Sequence, residues 1–353
     1  MAANGVAHHY AVPYDVGEGP QGANANVAYA AAVATAAGAA LNRDFTNDLR
    51  QYLRQNGLSD ARAMAWGTRV GQYFANLRRH DRSANARTLN TQQYPKMMGP
   101  TGWTPTGDGA PSLLPGWGKV RPWAMGEARN FLPRVFPKQG SAEFQRQFNK
   151  VRSIGGRTST SRTADQTQTA FFWEHGLGGV TPPGHWQLIG LRVLAPCNLG
   201  TIEMARAMAM LSMAQADAAI VTWDSKYKYD VLRPETAIRA AGTPNWQPLI
   251  PSPAFPAYVS GHSMFSGASA RMLALILGTD AVSFSGTSPD PQLWPIQLQG
   301  VRRSWSSLSQ AAAENGASRE FDGVHWEADN TEGLRVGAQI ADAAYNLKFI
   351  RTG

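Results

Sequence analysis

Apolar residues in this chain recur every three or four positions over long stretches and rarely every two, so the chain must fold mainly as helices that each bury one face. An alanine-rich helix is read over residues 26–41, and a second pattern runs from about Asp60 to Arg79 with Ala63, Trp66, Val70, Phe74 and Leu77 on one side. Residues 166–173 start another, which ends before the turn Gly176-Leu177-Gly178-Gly179. Thr201 can cap a helix to about Thr222, with Met204, Ala207, Met208, Leu211, Ala214 and Ala218 inward. Residues 261–277 follow, with Phe265, Ala268, Met272, Leu275 and Ile276 inward and Gly278 as a stop, and a last helix covers roughly 325–345. Pro182-Pro183-Gly184 reads as a break, and no repeat of fixed period is present. The fold class is all-α, as packed helical bundles.

Three regions are expected. Residues 1–25, with His8 and His9, read as a polar arm. Residues 26–165 form an N-terminal helical region that includes a long loop from Tyr94 to Phe136, rich in Pro, Gly and Trp. So many large aromatics are costly to expose, so this loop should be ordered, as the wall of a site can be. Residues 166–353 form a C-terminal helical bundle that can pack with the preceding region as one domain.

Composition narrows the function. The 353 residues include a single cysteine, Cys197, which excludes an intrachain disulfide framework and a multi-cysteine zinc cluster. Cys197 is expected to be a small buried hydrophobe. The formal charge is +8, but residues 1–165 carry a balance of +10 and residues 166–353 a balance of −2. The arginines are scattered rather than clustered, which argues against nucleic-acid or polyanion binding. The apolar stretch from Val27 to Leu41 is 15 residues, short of the roughly 20 needed to span a bilayer. No Lys or Arg precedes Arg43, so no leader sequence is read; the compartment is secreted or periplasmic if a leader was removed, and cytoplasmic otherwise.

Three segments carry the chemistry. Lys226 and Arg233 stand seven apart, closed by Pro234. Ser260-Gly261-His262 opens a helix. Ser318-Arg319 is followed by His325 and then Asp329. Singly, each has an ordinary explanation: a solvated charge pair, a helix cap, an i,i+4 contact. Together they build an oxyanion site. Three permanent cations, Lys226, Arg233 and Arg319, suit tetrahedral oxyanion edges; Ser260 adds a hydroxyl, and the Gly261 N–H lies at a helix N-terminus. One histidine can bond the central atom while the other moves a proton. Asp329, one helical turn after His325, can orient its imidazole.

The order KxxxxxxRP, SGH, SRxxxxxHxxxD resembles the signature of the phosphatidic acid phosphatase superfamily, which includes acid phosphatases and vanadium-dependent haloperoxidases. Val259 stands where the family usually has proline. Leu114-Pro-Gly-Trp-Gly118, Trp173-Glu-His-Gly176, Val180-Thr-Pro-Pro-Gly-His-Trp186 and Phe255-Pro-Ala-Tyr-Val-Ser-Gly-His262 look like bacterial haloperoxidase segments.

The resemblance implies a vanadate bonded to His325. Its oxygens would be held by Lys226, Arg233, Ser260, Gly261 and Arg319, and His262 would be the acid–base. Lys226, His262 and His325 would be the catalytic residues. Phosphate would replace vanadate in the apo form. The implied partners are hydrogen peroxide, a halide and a small organic acceptor, with no nucleic acid and no membrane span, in a monomer or homodimer. Trp223 and Phe255 fall at the positions of an aromatic halide pocket that goes with chloride and bromide oxidation.

The family often has Trp-x-Asp-Gly where this chain has His175, and that aspartate pairs with the arginine matching Arg319. His175 is therefore expected either to bond within the pocket or to leave Arg319 less restrained. His185, which lacks a preceding serine, reads as structural. The alternative activity is an acid phosphatase acting through a phosphohistidine at His325.

Overall fold

The computed structural model describes residues 1–3, 10–11, 14–88, 102–106, 112–176, 178–346 and 350–351. His8, His9, Leu177 and the beginning of the aromatic loop at Tyr94 lie outside the described residues. Helices dominate, as the periodicity requires. Regular β structure among the described residues is confined to two short antiparallel pairs, Tyr10–Ala11 with Ile350–Arg351 and Phe284–Gly286 with Arg303–Trp305.

The chain forms two compact units, each discontinuous in sequence. The first comprises Met1–Arg82, Cys197–Ala209 and Asn346–Gly353; the second comprises Ser83–Pro196 and Met210–Tyr345. In the first unit, α1 (Ala25–Leu41), α2 (Thr46–Gln55) and α3 (Ala61–Arg78) surround a core of Val27, Ala28, Ala63, Trp66 and Val70. Asp60 caps α3 by accepting from the Arg62 and Ala63 N–H groups, and its other oxygen accepts from Asn24 N.

The second unit holds the chemistry-bearing segments. Its longer helices are α4 (Ala142–Ile154), α5 (Ala164–Trp173), α6 (Thr181–Leu194), the later part of α7 (Thr201–Tyr229), α8 (Pro234–Ala240), α9 (Gly261–Leu277), α10 (Leu308–Phe321) and α11 (Glu327–Asn346). α9 and α11 cross in close backbone contact. A Cβ on Gly267 would lie 2.2 Å from Leu334 O, and one on Gly337 would lie 2.3 Å from Met264 O. Glycine at the crossing lets the two N-termini, which carry His262 and His325, approach each other.

Several expectations change. Pro182-Pro183-Gly184 begins α6 rather than breaking the chain, because the first turn of a helix has N–H groups without intrahelical partners and loses nothing to proline. α7 runs on to Tyr229, seven residues past Thr222, and so carries Lys226 on its last turn. Cys197 is exposed, because it ends the short 3₁₀ turn that follows α6 instead of facing a core. α10 escaped the apolar pattern because its buried face includes Asn315, Ser318, Arg319 and Glu320. No described helix is long and apolar enough to cross a membrane.

Candidate oxyanion-binding active site

The starts of α8, α9 and α11 and the C-termini of α7 and α10 supply the side chains. Lys226, on the last turn of α7, is fully buried. Its Nζ donates to three carbonyls of one segment: Pro256 and Ala257 at 3.0 Å and Val259 at 2.6 Å. The Ala257 N–H in turn donates to Val231 O at 2.9 Å, which ties this segment to the chain leading into Arg233. The Tyr258–Val259 peptide is cis.

Arg233 precedes Pro234 as the N-cap of α8 and is also fully buried. Its Nε donates to Phe255 O at 2.9 Å, and its Nη1 donates to Val324 O at 2.7 Å and faces His325 Nε2 at 3.1 Å. Phe255 therefore has both cations near its ring, with Lys226 Nζ at 4.6 Å and Arg233 Cζ at 4.9 Å from the centroid. Trp223 packs on the same ring, centroids 5.5 Å apart, and its indole donates to Leu113 O. That carbonyl belongs to the aromatic loop, and it also accepts from Tyr227 Oη at 2.7 Å.

Ser260 is the N-cap of α9; its Oγ accepts from Ser263 N at 3.3 Å. Its own N–H donates to Asp329 O at 3.1 Å, which joins the starts of α9 and α11. An added Cβ on Gly261 would meet nothing closer than Thr222 Cγ2 at 3.8 Å, so this helix start is open to a bound group. The imidazole of His262 hydrogen-bonds the Trp173 backbone, and its Nε2 is buried without a partner.

Between α10 and α11 the chain turns at Gly323, whose φ of +79° only glycine adopts freely; a Cβ there would also strike Gly155 O at 2.3 Å. This turn sets the spacing from Arg319 to His325, and the N–H groups of Val324 and His325 both donate to Arg319 O at 3.2 Å. His325 Nδ1 lies 2.7 Å from Asp329 Oδ2, which also accepts from Trp326 N at 3.0 Å. An ionised carboxylate can only accept, so Nδ1 carries the proton and the Nε2 lone pair is the acceptor that faces Arg233 Nη1.

Burial dominates the electrostatics. It pushes the His325 imidazole well below the ordinary histidine range, and the Arg233, Lys226 and Arg319 charges add to this. His262 is lowered in the same way, by burial first and then by Arg319. Both rings are neutral at neutral pH. Burial and the neighbouring Arg233 lower the Lys226 ammonium, while Arg233 is pushed down to about 9 and stays charged. Asp329 is raised to about 7 by burial against the pull of Trp326 N, Lys226 and Arg233. A pocket with three crowded cations and neutral imidazoles is relieved by an anion.

His175 does not bond Arg319. Its Nδ1 lies 3.0 Å from Asp290 Oδ2, and its Nε2 lies 2.7 Å from His185 Nδ1. The proton order that satisfies both contacts is His175 Nδ1–H to Asp290 and His185 Nδ1–H to His175 Nε2. Asp290 also accepts from Val180 N at 2.8 Å, so the three side chains close the turn between α5 and α6. Arg319 instead donates from Nη1 to Asp322 Oδ2, three residues on. Sequence reasoning passed over Asp322 and Asp290. The i,i+3 spacing from Arg319 could have revealed Asp322; Asp290 lies 115 positions from its partner, where no local signal reaches.

Residues 206–350 match the family model of the vanadium chloroperoxidase second helical-bundle domain. The vanadium chloroperoxidase of Curvularia inaequalis is 26% identical over 247 residues, a match that spans 54% of this chain but only 41% of that protein. The crystal structure of the first bacterial vanadium-dependent iodoperoxidase superposes with a TM-score of 0.81 at 26% identity, covering 98% of this chain and 88% of that one. Over residues 206–350 this chain carries the second helical-bundle domain of that family, and as a whole it is similar in fold to bacterial vanadium haloperoxidases.

The haloperoxidase fold is also shared with an apo-type bacterial vanadium-dependent chloroperoxidase, with a TM-score of 0.75 at 16% identity over 98% of this chain and 90% of that one. Here the set of polar groups suits a small tetrahedral oxyanion. Arg233 Nη2, Arg319 Nε and His262 Nε2 are all buried without hydrogen-bond partners. Buried polar atoms are seldom left unpaired, so several at one site are suited to a bound polar group.

Proposed function

We propose that this chain is a vanadate-dependent haloperoxidase that uses hydrogen peroxide to oxidise a halide to a hypohalous acid equivalent, which then halogenates organic acceptors. The observation that carries this reading is the pair of unpartnered donors on Arg233 and Arg319 together with the unpartnered His262 Nε2, beside His325 with its Nδ1 held by Asp329. Bound there, vanadate supplies a Lewis-acidic centre that activates peroxide toward halide without changing its own oxidation state.

His325 Nε2 would hold the metal, with Asp329 fixing the tautomer. Arg233, Arg319, Lys226, Ser260 Oγ and the Gly261 N–H would bind its oxygens. His262, neutral because it is buried, accepts a proton at Nε2 from incoming peroxide and later returns it. Phe255 and Trp223 screen the cations from water, which strengthens every charge interaction in the pocket.

This aromatic pair supports chloride and bromide as substrates. A second reading, iodide, is favoured by the likeness to the bacterial iodoperoxidase at 26% identity. The test is halogenation of monochlorodimedone, and oxidation of iodide, by metal-free protein with and without added orthovanadate. Vanadate-dependent turnover is expected, and chloride activity decides between the halide readings. Hydrolysis of p-nitrophenyl phosphate that vanadate inhibits, with no halide oxidation, would instead establish the phosphatase.

A further inference from the structure

Arg319 is a long side chain that must hold one orientation while nearly removed from water, at 2% exposure. A guanidinium presents its donors as a rigid planar fork, so holding one arm of the fork fixes the direction of the others. We propose that Asp322 is the positioning residue for Arg319: it takes Nη1 and thereby aims Nε into the oxyanion site.

Three observations support this. Arg319 Nη1 donates to Asp322 Oδ2, and Asp322 is itself fully buried. Arg319 Nε is buried with no partner, which is the state of a donor turned toward a ligand rather than toward the protein. The backbone of Asp322 is anchored on both sides. Its N–H donates to Ser318 O at 2.8 Å, and its carbonyl accepts from Leu249 N at 2.9 Å. A carboxylate on so fixed a backbone makes a stiff anchor.

The neighbouring side chain that could compete for this role is committed elsewhere. Both ring nitrogens of His175 are engaged, one by Asp290 and one by His185. Arg319 is therefore oriented from within its own helix, one turn from the residue it serves, and the turn between α5 and α6 is free to be built around neutral histidines.

The proposal rests on the oxyanion-site reading of the pocket. Its test is isothermal titration of orthovanadate, and separately of inorganic phosphate, into wild type and Asp322→Asn, with thermal melting of both. Vanadate affinity is expected to fall about 10–100-fold, as for other partners that orient a ligand-binding group, with phosphate affinity falling in parallel. A variant that melts at lower temperature but binds both oxyanions as wild type does would overturn the proposal, because a merely structural role has that signature. If Asp322→Asn does not fold, Asp322→Glu keeps the charge but moves the anchor by one methylene; lowered oxyanion affinity supports the proposal, and wild-type affinity overturns it. Wild type that binds vanadate but oxidises no halide removes the haloperoxidase reading alone.

Discussion

Two buried histidine–aspartate pairs lie in the same unit, and they differ in what the second ring nitrogen meets. In His325–Asp329 the partners are one turn apart at 2.7 Å, and the Nε2 lone pair faces a charged donor, Arg233 Nη1, at 3.1 Å. In His175–Asp290 they are 3.0 Å apart across 115 positions of sequence, and Nε2 is taken by His185. The first pair is open only to a ligand that displaces Arg233 Nη1 from Nε2, and the second is closed on a neighbouring histidine and holds a turn. A carboxylate beside a histidine is not what separates reactive from structural; the fate of the other nitrogen is.

The largest expected effect falls on the open pair. His325→Ala should abolish vanadate-dependent turnover and weaken vanadate binding by more than about a hundred-fold, beyond the 10–100-fold typical of an orienting partner, which is the range expected for Asp329→Asn. Equilibrium titration of vanadate measures both. Retained affinity in His325→Ala would make the two pairs alike and remove the distinction.

The closed pair should respond in stability first. His175→Ala strands Asp290 and His185 without their mutual partner, at a cost of about 1–3 kcal/mol. Chemical denaturation should show this loss, while the folded variant binds vanadate within a few-fold of wild type. A large affinity change with unaltered stability would move His175 into the site.

The smallest effect is on pH dependence. Burial lowers the pKa of both His175 and His185, so below the ordinary value of 6.5 the unfolded chain takes up protons that the folded pair refuses. Stability contributed by this pair is therefore complete above pH 6.5 and is lost as pH falls below it. Asp322 and Asp329, both raised to about 7, act in the opposite direction between that value and 3.8. The histidine share is isolated by difference. His185→Phe should lose less stability than wild type between pH 6.5 and 5, as read from melting temperature against pH.

Much of the helical framework was legible from spacing alone. The extents of α1, α3, α9 and α11 follow from apolar residues at three- and four-residue intervals with Asp60, Ser260 and Gly278 as punctuation. α10 was not legible, because its buried face mixes Leu308, Ala311 and Ala312 with Asn315, Ser318, Arg319 and Glu320, which interrupts the apolar spacing. The grouping of Lys226, Arg233, Ser260, Arg319 and His325 was readable as a motif. Which donors are spent on the protein and which are left over was not.

The sequence by itself determined a helical protein with an oxyanion-binding signature, because both depend on residue type at short, regular spacing. Tertiary structure alone decided that His175 closes a turn with Asp290 and His185, that Lys226 is collared by the carbonyls of residues 256, 257 and 259, and that Phe255 lies against two cations. Those outcomes depend on groups far apart in the chain competing for the same buried hydrogen bonds. The winner is set by distance and direction in three dimensions, which residue order does not encode locally.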